Sequence, residues 1–126
     1  MVITISIIYV VLLGQMALPS VEPPVYHIAM EGSAPYYTPK IATITAGHPI
    51  QWDNQTATAH TVTHEACQTK HLCLFDSGAI SPGNSFVLPS LQPGTYHYYC
   101  RLHPIMRGII TVNESSFRGE EPPLNG

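Results

Sequence analysis

The sequence predicts an all-β domain, a two-sheet β-sandwich of Greek-key type with about seven to eight short strands. Three observations lead there. Twelve prolines and nine glycines are spread along the 126 residues, so turns punctuate the chain throughout. After residue 20 no apolar run of useful length has helical period. In place of helices stand β-branched runs such as Ile41-Ala-Thr-Ile-Thr45 and Gly108-Ile-Ile-Thr-Val112.

The elements follow in order. Residues 1–20 are expected to be a signal peptide or an N-terminal membrane anchor, because the first 18 residues are apolar and carry no charged side chain. Either reading places the domain outside the cytoplasm: periplasmic, cell-surface or secreted. The sandwich domain is expected over residues 21–112 and a polar tail over residues 113–126. Strands are expected at Val25–Met30, Ile41–Thr45, Pro49–Asn54, His60–His64, Ser85–Leu88, Thr95–Tyr99 and Gly108–Val112. Glu31–Pro39, with two prolines, reads as a loop. Charged residues make up 10% of the chain and the net charge is -3, which gives no footprint for nucleic acid.

Chemistry concentrates between the last two strands. Cys100, His103 and Met106 share one tight loop at spacings i, i+3 and i+6. Pro104 restricts the backbone beside His103, and Gly108 lets the chain re-enter the sheet without a side chain. A thiolate, an imidazole and a thioether, with one more imidazole, form the ligand set of a mononuclear blue-copper site. His60, opening a β-branched strand after a polar connection, is the expected fourth donor. Strand alternation puts Tyr96 and Tyr98 on the side of Cys100, and His97 and Tyr99 on the other.

Cysteine parity agrees. Of three cysteines, pairing of Cys67 with Cys73 leaves Cys100 for the metal. His64, Cys67, His71 and Cys73 also have the look of a second metal set; a disulfide is the favoured reading in an oxidising compartment. Trp52 is expected in the core. Asn54-x-Thr56 and Asn113-x-Ser115 match the N-glycosylation pattern.

Taken together, Tyr37–Gly47, Gln51–Asn54, Ala59–Thr63, Leu74–Gly78, Ser81–Gly83 and Pro93–Gly108 resemble, in order, the motifs of cupredoxins of the plastocyanin/amicyanin type. The short Cys-x2-His-x2-Met loop is closest to the amicyanin form, and the chain is similar to small archaeal and bacterial members. Thr61 stands where many relatives have Asn. The resemblance implies one copper per chain, cycling Cu(I)/Cu(II), with His60, Cys100 and His103 equatorial and Met106 axial. It implies a monomeric carrier of single electrons rather than an enzyme. Redox protein partners would dock at the apolar patch around His103, and residues 1–18 are a possible membrane attachment. The alternatives are a copper-dependent oxidoreductase acting on a small molecule such as a nitrogen oxide, and a copper-carrying protein. The oxidoreductase turns on Met106, since catalytic sites usually keep an open coordination position.

Overall fold

A computed structural model describes Gly14, residues 16–69 and residues 72–116. Most of the expected leader and of the expected tail lies outside the described residues. Among those described there are eight strands: β1 Tyr26–Glu31, β2 Tyr36–Thr38, β3 Ile41–Thr45, β4 Ile50–Asn54, β5 Thr63–His64, β6 Ser85–Leu88, β7 Gly94–Tyr99 and β8 Arg107–Asn113. One 3-10 turn, Glu65–Gln68, follows β5. Two four-stranded sheets result, ordered β2-β1-β4-β6 and β3-β8-β7-β5. Only β1–β2 and β7–β8 are hairpins; every other connection crosses between sheets. That wiring lets β1 lie parallel to β4 and β3 parallel to β8.

Alternation along each strand builds the core. β3 turns Ala42 and Ile44 inward, β4 turns Ile50 and Trp52, and β8 turns Ile110 and Val112. Trp52 is fully buried as expected, with Phe86 and Tyr98 rings 5.8 Å and 5.6 Å away. Tyr98 also meets Tyr37 at 4.6 Å between ring centres. This aromatic layer forms the floor beneath one pole of the sandwich.

Two expectations need correction. The Glu31–Pro39 loop contains a strand, β2, because Tyr37 is driven into the core and its neighbours pair with Ala29 and Glu31. The strand expected at His60–His64 is regular only at Thr63–His64. Upstream of it, His60 forms an isolated bridge with Ile80, and the Val62 carbonyl accepts from the Ser77 N–H. Ladder partners there come from a loop rather than a strand. Tyr99, expected on the side away from Cys100, is 7% exposed there. The Arg107 guanidinium lies over its ring at 5.8 Å and is ion-paired to Glu65, so the 3-10 turn covers this face.

Cys67 and Cys73 are joined in a disulfide across six positions. An oxidised pair offers no thiolate, so the second metal set does not form; His71 lies outside the described residues. His64 instead stacks on Phe75 at 5.1 Å and its Nδ1 accepts from the Leu74 N–H. Closing so short a loop restricts the unfolded chain by about 2 kcal/mol. Replacing both cysteines by alanine is therefore expected to lower stability by about that amount and to leave metal binding intact. Thermal melts and copper titration of the double variant would check both; lost copper binding would reassign these sulfurs to the site.

Candidate metal centre

The hairpin loop between β7 and β8 positions most of the expected donors. Its neck is closed by the Cys100 N–H donating to the Met106 carbonyl at 3.0 Å. Its tip is tightened by the Met106 N–H donating to the His103 carbonyl at 2.8 Å. Cys100 is fully buried and Met106 is 2% exposed, both within the core cluster. His103 is half-buried, at the rim.

His60 arrives from the other side, fully buried. Its backbone is held by the Ile80 strand bridge, with N–H to carbonyl distances of 3.2 Å and 2.7 Å. The ring then presents Nδ1 3.1 Å from His103 Nδ1 and 3.8 Å from Cys100 Sγ. Cys100 Sγ stands 3.8 Å from His103 Nδ1. A point equidistant from these three atoms lies about 2.1 Å from each, the length of a first-row metal–imidazole bond and slightly short of a metal–thiolate bond. Burial lowers the His60 pKa and the neighbouring His103 lowers it further, which favours the neutral, ligating imidazole. A soft thiolate with two imidazoles suits copper, so the donors fit the group that the sequence implies.

Other residues fix the sulfur. The Thr61 N–H donates to Cys100 Sγ at 3.3 Å. The same residue is anchored through its carbonyl oxygen, which accepts from the Tyr37 hydroxyl at 2.6 Å. Burial, then the charge of Cys100, pushes the Tyr37 phenol far above its ordinary range, so it stays a donor. Thr61 Oγ1 accepts from the Arg101 N–H at 2.8 Å and meets Thr63 Oγ1 at 2.9 Å. Thr63 Oγ1 donates to Asp76, which pairs with the Arg101 guanidinium. A closed ring of side chains thus ties the residue after Cys100 to the strand beside His60.

Sequence reasoning missed Tyr37, Asp76 and Arg101 in these roles. Tyr37 sat in an expected loop, and pairing between residues 61 and 101 is a tertiary event. One signal was present: Thr56 and Thr58 lie four and two positions before His60, so polar side chains are close at hand for its ring. Asn54, 2% exposed, has its amide nitrogen bonded to two carbonyls and is closed to a glycan.

A buried thiolate and two imidazoles at one pole of a mixed-sheet β-sandwich define a class of small metal-binding redox domain. Comparison with known proteins gives the family. Residues 4–112 match the model of the cupredoxin-like domain. A purple cupredoxin from Nitrosopumilus maritimus is 26% identical, with 70% of this chain and 99% of that one covered and a TM-score of 0.62. An amicyanin variant in its reduced Cu(I) form at pH 4 is 22% identical, with 71% and 82% covered and a TM-score of 0.62. A second amicyanin variant in the Cu(I) form, also 22% identical, reaches 0.63 over 75% and 87%. The amicyanin matches speak for the fold. The chain belongs to the cupredoxin family.

Proposed function

We propose that this protein carries single electrons on one type 1 copper ion held by His60, Cys100, His103 and Met106. The observation that carries the reading is the preformed triangle of Cys100 Sγ and the two Nδ1 atoms. Bound there, copper supplies a one-electron couple. The chain's part is to keep the donors still. Cys100 is held by its own backbone bond to Met106 and by the Thr61 N–H on its sulfur. His60 is buried and bridged to Ile80. A donor set that does not rearrange between oxidation states keeps the barrier to electron transfer low.

Met106 is buried at the loop's neck; as the axial ligand it would close the remaining coordination position, and a site without an open position favours a carrier over an enzyme. The rim supports docking of a redox protein: Leu102 and Ile105 flank His103 and are 54% and 91% exposed. An apolar contact of this kind excludes water over the His103 edge, and the imidazole becomes the electron port. The disulfide agrees with an oxidising, extracytoplasmic setting. Residues 1–18 would deliver the domain there, by cleavage or as an anchor.

Titration of the apo protein with Cu(II) tests the function. One equivalent should bind, with an intense visible thiolate-to-copper band that bleaches and returns on reduction and reoxidation. Azide should leave the band unchanged. Rapid azide binding would overturn the carrier reading in favour of an open, reactive site.

A further inference from the structure

We propose that Asn54 and Thr56 form a one-way hydrogen-bond relay that holds the His60 proton on Nε2, keeping the Nδ1 lone pair turned toward Cys100 and His103. This rests on His60 being a ligand and explains how the apo chain selects the ligating nitrogen. The motif is the one that the sequence offered as a glycan acceptor.

The direction of each bond follows from what its atoms can give. The Asn54 side-chain nitrogen lies 2.8 Å from the Thr58 carbonyl oxygen and 2.9 Å from the Ile80 carbonyl oxygen. Carbonyl oxygens only accept, so this atom is the donor and the other is the amide oxygen. That oxygen accepts from the Thr56 N–H at 3.0 Å and stands 2.8 Å from Thr56 Oγ1. The Thr58 carbonyl oxygen is a second acceptor for the same hydroxyl, at 3.0 Å. In the proposed relay the single hydroxyl proton goes to one of these carbonyl oxygens, and Thr56 Oγ1 turns a lone pair toward His60 Nε2, 2.7 Å away. The Nε2–H then donates to Oγ1; the reverse arrangement, with the hydroxyl donating to a bare Nε2, is the alternative that the tautomer measurement decides. A neutral imidazole protonated there carries its lone pair on Nδ1, the atom that faces the cysteine.

Thr58 Oγ1 also neighbours Nε2, at 3.2 Å, and is the weaker partner on distance. The relay shares a foundation with the ring it orients. The Ile80 carbonyl takes both the Asn54 amide and the His60 N–H. The end of strand β4 and the His60 segment are therefore tied to one backbone oxygen.

Imidazole nitrogen NMR of the apo protein reads the tautomer without metal. The wild type should show His60 protonated at Nε2. Thr56→Val keeps the shape and removes the acceptor; it should give a mixture of tautomers and raise the copper Kd about 10–100-fold, as loss of an outer hydrogen-bond partner does. Thr56→Ser should restore both, which a packing role for the methyl group would not allow. Thr58→Val should change neither. A Thr56→Val protein that keeps the Nε2 proton and the wild-type affinity would overturn the relay. Failure of the wild type to bind copper would instead overturn the ligand reading, while the tautomer measurement stays interpretable.

Discussion

Cys100→Ser is expected to abolish the visible band of the copper-loaded protein completely. The band arises from charge transfer out of a thiolate, and a hydroxyl at this position is neither soft nor ionised at neutral pH. Affinity should fall by more than ~100-fold, beyond what loss of an outer partner costs. The fold should survive. A serine oxygen can still accept from the Thr61 N–H, and the side chain it replaces is small and buried. His97→Gln serves as a control, since His97 is exposed on the opposite face of β7. Absorption spectra and copper titrations of both variants check the assignment. A band that persists in Cys100→Ser would place the thiolate elsewhere.

Gly108→Ala is the second large effect, and it falls on stability. Gly108 is paired with Tyr98 across β7 and β8. A Cβ at this position would lie 2.3 Å from Tyr98 Cζ and 2.4 Å from its hydroxyl oxygen. The backbone here needs no positive φ; the requirement is space alone. Tyr98 cannot retreat, because it is 1% exposed and wedged against Tyr37 and Trp52. Overpacking a rigid core typically costs 1–3 kcal/mol and sometimes more, so about 3 kcal/mol is expected, or a Tm lower by roughly 15 °C. Shortening the ring should relieve it: Tyr98→Leu with Gly108→Ala should show a favourable coupling of at least ~1 kcal/mol in a double-mutant cycle. A loss below ~1 kcal/mol for Gly108→Ala alone would mean that the ring can move.

Gly108 also shows how the sequence and the structure divide the explanation. From sequence, the glycine was a re-entry point after the loop. The structure supplies the reason, which is an aromatic ring lying across the strand. Tyr99 makes a related point. Strand alternation correctly put it on the face away from Cys100. Alternation does not say whether that face is covered, and the 3-10 turn with the Arg107–Glu65 pair covers it. β2 is hidden in the sequence by its length and by the flanking Pro35 and Pro39, although Tyr36-Tyr37-Thr38 are β-favouring residues; burial of Tyr37 and pairing with β1 make it a strand.

The expected donors were legible because three lie within seven consecutive positions, in a pattern with a chemical reason. His60 was legible as a polar residue in a β-branched run. The residues that hold them were not. Tyr37, Asp76 and Arg101 act through bonds that span the chain, and nothing near them in sequence announces a partner; Asn54 and Thr56 lie close to His60 in sequence, but only the folded connection shows which of their atoms meet.

The sequence by itself determined the all-β class, from turn spacing and β-branched runs, and it determined which residues could bind copper, from side-chain chemistry. Only the tertiary structure decided that Cys100, His60 and His103 meet within bonding reach of one point. It also decided which imidazole nitrogens face inward. Local spacing can set what a loop offers, whereas convergence with a histidine forty positions away depends on how two sheets pack and which backbone groups their crossing leaves to be paired.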